Sequence, residues 1–211
     1  MKVTAVIPAH NEAPNIAGVI EIAKPYVDYV LVVDDHSSDN TAWVAEEAGA
    51  KVVKNNGGKG YIGAIKTGFK EAKGDIVVTL DGDGEHNPGE IPLLTRPILN
   101  GKADMVVGKR KKIARLSESL ISFITRLKTG VADSGTGFRA MRKELALKLK
   151  LRGRCICGIS VLEANHLGAR ITEVPITLNN IHKKRTIAWD HITQFFYVLK
   201  WLIRGEVKSK K

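Results

Sequence analysis

The chain has 211 residues, of which 44 % are hydrophobic and 26 % are charged, without a repeat or a low-complexity tract. These proportions exclude a disordered or fibrous protein, and the length suits a single α/β domain better than two. The formal net charge of +11 indicates an anionic partner, which could be nucleic acid, a phosphorylated small molecule or an acidic membrane surface.

Apolar runs and helical patterns alternate through the first half of the chain. Residues 3–8 and 29–33 are short apolar runs typical of buried parallel strands, and helical spacing within 11–24 joins them into one βαβ unit. Further helices are predicted at 41–48, 61–73 and 89–100, and further strands at 51–53, 75–80 and 104–107. This alternation predicts a mostly parallel sheet with helices on both faces.

The second half of the chain has a different rhythm. Helices are predicted at 116–129, 143–150 and 160–167, with a short extended piece at 137–141. Residues 171–178, interrupted by Pro175, are typical of an edge strand because proline cannot donate a hydrogen bond to a neighbouring strand. Residues 189–204 form an amphipathic helix, so we divide the chain into a domain at 1–188 and a C-terminal helix with a basic tail at 189–211.

The amino terminus, MKVTAVIPAH, lacks the apolar stretch of a signal peptide. No run of apolar residues reaches the ~18 that are needed to span a bilayer. We therefore expect a cytoplasmic protein. The C-terminal helix leaves two alternatives open, since its apolar face could pack on the core or lie peripherally on the cytoplasmic face of a membrane.

Polar clusters follow three of the predicted strands, at 8–12, 34–37 and 81–85. In an open α/β sheet, ligands bind beyond the carboxyl ends of the strands, where the loops are free to vary while the sheet holds their ends. The three clusters therefore predict a ligand site at this edge of the sheet.

The sequence DGDGEHNP, which follows the strand at 75–80, carries the sharpest chemical signal. Asp81, Asp83 and Glu85 alternate with glycines such as Gly82, which let a bulky ligand approach the backbone. Carboxylate oxygens suit Mg²⁺ or Mn²⁺, ions that also keep positions for phosphate oxygens, so the loop predicts a cation bound to a diphosphate. The alternative is an Asp/Gly-rich turn that only caps the following helix.

Six segments, in order between Val6 and Leu178, carry a joint resemblance to a known family. Their sequences are VIPAHNEAPNI, VVDDHSSDNTA, GAIKTGF, DGDGEHNPGEI, DSGTGFRAMRKE and ITEVPITL. With these motifs the chain resembles the family 2 glycosyltransferases of the glycosyltransferase A fold, in particular the dolichyl-phosphate mannose synthase-like branch. The resemblance implies a Rossmann-like, nucleotide-sugar-binding fold in which residues 1–188 form the catalytic domain.

The resemblance also implies a donor site. Its nucleotide-sugar-binding residues are Pro8, Asn11, Glu12, Asp34, Asp35, Asp81 and Gly82, and its metal ligands are Asp81, Asp83 and Glu85. Lys59 belongs to the same site, although the Gly58-Lys59-Gly60 segment stands two residues ahead of the family register. Asp34 and Asp35 have an alternative role, since they could cap the helix predicted from Thr41.

Acceptor binding is expected in the second half of the chain. In the lipid-phosphate branch the attacking group is already an anionic phosphate oxygen, so cationic side chains that position it matter more than a strong base. The resemblance implies as catalytic residues Asp83, Arg110 and Arg139, and as acceptor ligands Ser134, Thr136 and Arg185. Arginine suits this task because its planar fork binds phosphate through two donors. For Arg139, an ion pair with Asp133 is the alternative.

Together these motifs predict an inverting hexosyltransferase. The expected donor is GDP-mannose or UDP-glucose, the expected cofactor is Mg²⁺ or Mn²⁺, and the expected acceptor is a polyprenyl or dolichyl phosphate. A soluble acceptor and a non-catalytic, nucleotide-sugar-binding relative stay open as alternatives. A nucleotidyltransferase is disfavoured because no glycine-rich phosphate loop follows the first strand. Basic residues cluster at 109–112, 182–185 and 208–211. We expect no nucleic-acid partner, since the aromatic residues are not interleaved with these basic clusters as stacking platforms.

Overall fold

A computed structural model gives the fold and describes residues 1–58, 60–111, 116–179 and 188–204. The strands within these ranges are β1 (Val3–Ala9), β2 (Tyr29–Asp34), β3 (Lys51–Lys54), β4 (Ile76–Thr79), β5 (Met105–Arg110), β6 (Arg139–Arg142) and β7 (Ile171–Ile176). The α-helices are α1 (Ile16–Ala23), α2 (Thr41–Glu47), α3 (Tyr61–Glu71), α4 (Ile91–Leu99), α5 (Leu116–Thr129), α6 (Lys143–Lys148), α7 (Ile159–His166) and α8 (Ala188–Arg204). Short 3₁₀ turns at Lys24–Tyr26 and Pro88–Glu90 follow α1 and precede α4.

The strands form one sheet in the order β3-β2-β1-β4-β6-β5-β7. The pairs β3-β2, β2-β1, β1-β4 and β5-β7 are parallel, whereas β6 runs antiparallel to both β4 and β5. The predicted, mostly parallel sheet is therefore confirmed. β7, which contains Pro175, is an edge strand as predicted, and β6 is the short extended piece predicted at 137–141.

Buried apolar side chains cover both faces of the sheet. Successive residues of a strand point to opposite faces, and β1 accordingly sends Val6 to one face and Ala5 and Ile7 to the other. Helices α3, α5, α6, α7 and α8 pack on the face of Val6, and α1, α2 and α4 pack on the opposite face. The chain therefore folds as one α/β domain with helices on both sides of the sheet, as the sequence predicts.

The segment before α1 differs from the prediction. A helix is predicted from residue 11, but α1 begins only at Ile16. Asn11 has a φ of 56°, in the left-handed region where a right-handed helix cannot continue, and its side chain accepts a hydrogen bond from Ser38 N at 2.8 Å. Contacts with a distant loop therefore keep residues 11–15 out of the helix and at the carboxyl edge of the sheet.

The C-terminal helix α8 packs on the core. Val198 and Trp201 are buried, and the Gln194 side chain accepts from Arg154 N at 2.9 Å and donates to the Cys157 carbonyl at 3.3 Å. The helix therefore contacts the core through these residues, whereas most of its predicted apolar face, including Phe196 and Ile203, is exposed. No helix within the described ranges is long and apolar enough to cross a membrane.

Candidate active site

The loops after β1 and β2 join into one platform at the carboxyl edge of the sheet. The Asp35 carbonyl oxygen lies 2.8 Å from His10 Nδ1. Asn11 N donates to Ser37 Oγ at 3.0 Å, and Asn11 Oδ1 accepts from Ser38 N at 2.8 Å. The structure thus brings together the first two of the polar clusters that the sequence predicts at this edge.

Glu12 and Asp34 are buried beneath this platform, each with 8 % of its area exposed. Glu12 N donates to Thr41 Oγ1 at 2.8 Å, and the Glu12 carboxylate accepts from Asn15 Nδ2 at 3.1 Å. Pro8 is buried within β1. These residues hold the loops in place, and their predicted contact with a nucleoside stays a prediction.

The start of α2 decides the alternative role of the neighbouring aspartates. Asp39 accepts a hydrogen bond from Thr41 N at 3.0 Å and also binds the Thr41 hydroxyl. The N-cap residue Asn40 makes no capping hydrogen bond, and Asp39 instead satisfies this backbone donor in the first turn of α2. The capping role considered for Asp34 and Asp35 is therefore wrong, because Asp39 fills it.

Asp35 connects the platform to the glycine-rich segment before α3. Its Oδ1 accepts from Asn55 Nδ2 at 2.7 Å and from Gly60 N at 3.1 Å. Asn55 is buried and also donates to the Gly58 carbonyl at 2.7 Å. Sequence reasoning missed Asn55, whose one signal is a polar residue directly after β3. Lys59, predicted to bind the donor, lies outside the described residues.

The glycine-rich segment lies directly on α3 because Gly63 has no side chain. A Cβ atom at Gly63 would stand 1.5 Å from the Gly58 carbonyl oxygen. One turn further along α3, Thr67 Oγ1 accepts from Gly57 N at 2.9 Å. In the GAIKTGF motif, these two residues therefore support Gly57 and Gly58.

Asp81 lies at the carboxyl end of β4, where several groups converge on its carboxylate. The Tyr61 hydroxyl is hydrogen-bonded to it, and Asp81 Oδ2 lies 3.6 Å from His86 Nδ1. Burial raises the pKa of Asp81, and the negative charges of Asp83 and Glu85 raise it further against the opposing effect of His86. Asp83 and Glu85 are thus close enough to Asp81 for their charges to act on it, and a bound cation would offset those charges.

The acidic loop fits a divalent cation that shares its coordination with a ligand. Within the part of the chain that the structure describes, no three His, Cys, Asp or Glu side chains are arranged to hold a metal by themselves. The predicted set of Asp81, Asp83 and Glu85 is therefore not a preformed cage. Mg²⁺ usually binds through one or two carboxylates together with waters and substrate phosphates, and Asp81 and Asp83 fit that requirement. Gly82 between them is buried, and a Cβ there would come within 3.1 Å of Ile16 Cδ1.

His86 fixes the acidic loop, and sequence reasoning missed it. The side chain is buried, its Nδ1 accepts from Asp81 N at 3.3 Å, and its ring centroid lies 5.3 Å from that of Phe138. The signal was its position directly after the acidic motif. Asn87 caps the 3₁₀ turn at Pro88–Glu90, since its Oδ1 accepts from Gly89 N at 3.0 Å. The acidic residues at 81–85 therefore do not cap that turn.

Arg139 is fully buried beneath the site. Its guanidinium donates to the carbonyls of Ser134 and Thr136 at 2.8 Å each, to the Ile156 carbonyl at 3.2 Å and to the Ser160 hydroxyl. Ser134 and Thr136 are buried as well. In this structure the three side chains hold the shape of the loop at 133–138, and their predicted contact with the acceptor stays a prediction.

The loop at 133–138 matters to the site because it lies against Asp81, which follows β4. A Cβ at Gly137 would stand 3.1 Å from both carboxylate oxygens of Asp81 and from the Tyr61 hydroxyl. Thr79 Oγ1 donates to the Gly137 carbonyl at 2.7 Å and fixes this approach. A side chain at this position would require the Asp81 carboxylate and the Tyr61 hydroxyl to move by a few tenths of an ångström.

Arg110 lies in a buried cluster of charges at the end of β5. Its Nε and Nη2 donate to the two oxygens of Asp133 at 2.8 Å each, and its Nη1 lies 2.9 Å from Glu118 Oε2. Burial opposes the charge, but the two carboxylates outweigh it and raise the pKa of Arg110. Both arms of the Arg110 fork bind carboxylates in this structure, and its predicted contact with an acceptor phosphate stays a prediction. Asp133 pairs with Arg110, so the ion pair considered for Arg139 is wrong.

The remaining predicted acceptor ligand, Arg185, lies outside the described residues. Basic side chains nevertheless stand at the same edge as Asp81. β5 runs parallel to β4, because both are antiparallel to β6, and Lys109 and Lys111 at its carboxyl end are exposed. These lysines were recognised in the sequence only as part of a basic cluster.

Comparison with known sequences gives a family match and several relatives. The model of the family described as Glycosyl transferase family 2 matches residues 4–149. A dolichol-phosphate mannosyltransferase of Pyrococcus furiosus is 30 % identical, over 98 % of this chain and 66 % of the relative. A UDP-N-acetylglucosamine–dolichyl-phosphate N-acetylglucosaminyltransferase of Methanococcus voltae is 33 % identical, over 81 % of this chain and 83 % of the relative.

Comparison with solved structures supports the same fold. Glucosyl-3-phosphoglycerate synthase from Mycobacterium tuberculosis, in complex with Mn²⁺ and UDP-glucose, superposes with a TM-score of 0.79 at 24 % identity, covering 94 % of this chain and 77 % of that one. The same enzyme in complex with Mn²⁺, UDP and phosphoglyceric acid gives a TM-score of 0.77 at 23 % identity, covering 96 % and 77 %. At these identities the likeness establishes the fold alone.

Proposed function

This chain belongs to glycosyl transferase family 2, and we propose that it transfers a hexose, with inversion, from a nucleoside diphosphate sugar to a polyprenyl or dolichyl phosphate. The observation that carries the proposal is the position of Asp81 and Asp83 directly after β4, at the same sheet edge as the loops of β1 and β2. GDP-mannose and UDP-glucose are the proposed donors. The catalytic domain corresponds to residues 1–188.

The nucleoside of the donor is proposed to lie on the platform formed by the loops after β1 and β2. Asn11 and Asp35 stand at its surface, while Glu12 and Asp34 support it from below. The diphosphate would then extend towards Asp81 along the edge of the sheet, past the glycine-rich segment that Asp35 holds. Backbone groups and oxygen acceptors of this kind suit the polar face of a nucleotide.

The proposed cofactor is Mg²⁺ or Mn²⁺, held by Asp81 and Asp83. When bound, it would neutralise the charge that develops on the departing diphosphate. Asp83 Oδ1 accepts from Glu85 N at 3.0 Å, which keeps the acidic loop folded towards Asp81. His86 and Tyr61 hold the Asp81 side of the pair. The residues of this chain therefore supply two anchoring carboxylates and a fixed loop.

The proposed reaction is a direct displacement at the anomeric carbon. An oxygen of the acceptor phosphate forms a bond to that carbon, the bond to the diphosphate oxygen breaks on the opposite side, and the nucleoside diphosphate leaves. Because the acceptor oxygen is already ionised, no side chain has to remove a proton. Lys109 and Lys111 at the end of β5 are proposed to attract the acceptor phosphate, with Arg185 as a third candidate.

A panel of donors and acceptors tests the proposal. GDP-mannose, UDP-glucose and UDP-N-acetylglucosamine are each incubated with dolichyl phosphate, undecaprenyl phosphate or 3-phosphoglycerate and Mg²⁺ or Mn²⁺, and the glycosylated product is measured. We expect one donor to give a product that depends on both the lipid phosphate and the cation. Transfer that persists in a chelator, or transfer only to a soluble acceptor such as 3-phosphoglycerate, would overturn the cation or the lipid acceptor respectively.

A further inference from the structure

Two helices on one face of the domain expose large apolar side chains. On α5 these are Leu120, Phe123 and Leu127, with exposed fractions of 48 %, 61 % and 76 %. On α8 they are Ile192, Phe196, Leu199 and Ile203, with exposed fractions of 46 %, 63 %, 36 % and 75 %. We call these seven residues the two-helix patch. Exposed apolar residues that are grouped in this way mark an interaction surface more often than singly scattered ones do.

Each helix carries its exposed apolar stripe opposite its buried side. On α5 the stripe follows the spacing i, i+3, i+7, and at ~100° per residue it lies on the far side from the buried residues Ile121, Ser122 and Thr125. On α8 the stripe follows i, i+4, i+7, i+11 and lies opposite Gln194, Val198 and Trp201. Packing against the domain therefore leaves both stripes uncovered.

The two helices lie side by side on the same part of the domain. A Cβ at Gly158 would meet Ile121 Cγ2 and Thr125 Cγ2 of α5 at 2.9 Å each and Val198 Cγ2 of α8 at 3.2 Å. The buried sides of α5 and α8 thus converge on one residue, and the helices also contact each other. Their exposed stripes consequently face outwards from the same surface and form one patch.

The rim of the patch is positively charged. At helical spacing, Arg126 and Lys128 stand on either side of the α5 stripe, and Lys200 stands beside the α8 stripe; all three are exposed. The acidic residue of α5, Glu118, is buried against Arg110 and adds no charge to this surface. Apolar side chains between exposed cations are typical of helices that lie in the interface of an anionic bilayer.

We infer that the two-helix patch docks on an anionic lipid surface, with its apolar stripes entering the boundary between headgroups and acyl chains. This inference rests on the proposed lipid-phosphate acceptor. A second copy of the chain fits the patch less well, since pairing the patch with itself would bring two basic rims together in a chain of net charge +11.

The docking surface is directly connected to the loop that covers Asp81. Thr125 of α5 and Ser134 share a hydrogen bond of 2.7 Å between their hydroxyl oxygens, and Gly158 N donates to the Ser134 carbonyl at 3.0 Å. The loop of Ser134 continues to Gly137, which lies against the Asp81 carboxylate. The loop from Ser134 to Gly137 therefore links the helices of the patch to the active site.

Vesicle flotation tests the inference with the full chain. The vesicles contain phosphatidylcholine alone or phosphatidylcholine with phosphatidylglycerol, and neither contains a polyprenyl phosphate. The patch variant combines Phe123→Ser and Phe196→Ser, whose side chains are exposed, so the fold should be kept. The matched control is Trp43→Ser, which removes an aromatic side chain of similar exposure, 62 %, from α2 on the opposite face of the sheet. Thermal unfolding confirms that all three proteins are folded.

We expect the wild type and Trp43→Ser to float with the anionic vesicles, and less protein to float at high salt. Partitioning of the patch variant into the vesicles should fall about tenfold or more, since each phenylalanine would bury a large apolar area. A wild type that stays at the bottom, or a patch variant that floats as well as the wild type, overturns the inference. A dimer that the patch variant converts to a monomer assigns the surface to a second copy instead. Transfer to a short-chain, water-soluble isoprenyl phosphate is measured in parallel. If the wild type does not transfer sugar to this soluble phosphate, the result counts against the proposed function. The flotation result is then judged separately.

Discussion

Replacement of Arg110 by methionine is expected to lower the free energy of unfolding by about 3–5 kcal/mol near neutral pH, because it leaves buried carboxylates without their counterion. The estimate follows from the geometry of the cluster. Asp133 loses two hydrogen bonds of 2.8 Å from the guanidinium, Glu118 loses a contact of 2.9 Å, and both carboxylates are almost fully buried. Methionine fills much of the same volume, so the loss reports mainly on charge.

The pH dependence of this loss separates charge from packing. In the wild type, burial raises the pKa of Asp133, but the effect of Arg110 is larger, so the pKa is lowered. The ion pair therefore stabilises the fold fully above the pKa that Asp133 has in the unfolded chain. This stabilisation is lost as the pH falls through the lower pKa of the folded state. In the variant, buried carboxylates without their counterion are costlier to keep ionised, so they should take up protons as the pH falls. The difference between the two proteins should therefore shrink between pH ~7.5 and ~5.

Urea denaturation at both pH values, followed by circular dichroism, measures these differences. Arg96→Met, which replaces an exposed arginine of α4, is the control and should change stability by no more than about 0.5 kcal/mol. If Arg110→Met is as stable as the wild type but loses sugar transfer, Arg110 acts on the acceptor and its assignment as a structural residue is refuted.

Two further substitutions test the donor edge and the far end of β5. Gly63→Ala should weaken donor binding and destabilise the fold by about 1–3 kcal/mol, since its Cβ would displace the Gly58 carbonyl. The control Gly18→Ala, whose Cβ has open space around it, should change neither. Calorimetry measures donor binding, and thermal unfolding measures stability. Asp104→Asn should lower the free energy of unfolding by about 1–2 kcal/mol at neutral pH and by little in strong acid. Hydrogen bonds from Arg170 lower the pKa of Asp104, and the stabilisation by this pair is lost once Asp104 is protonated. An equal loss at both pH values in urea titrations would contradict that account.

The sheet and the acidic site could be predicted because their signals are local. Buried parallel strands read as continuous apolar runs, and the alternation of runs and helical patterns fixes the class of fold. Asp81 and Asp83 follow such a run directly, so their place at a strand end needs no knowledge of distant contacts. The antiparallel direction of β6 has no comparable signal, since the residue pattern of a four-residue strand does not indicate whether it pairs parallel or antiparallel with its neighbours.

The roles of the arginines could not be predicted because they depend on contacts between distant segments. Arg139 is buried by carbonyls at 134, 136 and 156, and Arg110 finds its partner Asp133 twenty-three positions away along the chain. A sequence motif identifies these arginines but does not say which way they face. Asn11 was missed as a helix breaker for the same reason, since Ser37 and Ser38 hold its backbone from another loop.

Direct measurement of Mn²⁺ binding by electron paramagnetic resonance, with and without UDP or GDP, tests the central claim most closely. We expect the wild type to bind Mn²⁺ weakly alone and at least about tenfold more tightly with the nucleotide that it uses, because Asp81 and Asp83 supply only part of the coordination. Asp83→Ala should lose this nucleotide-dependent binding, whereas Glu47→Gln, which neutralises an exposed carboxylate on α2, should keep it. Binding that is unchanged in Asp83→Ala, or nucleotide binding that is indifferent to the cation, would contradict the claim that these carboxylates hold a metal shared with the diphosphate.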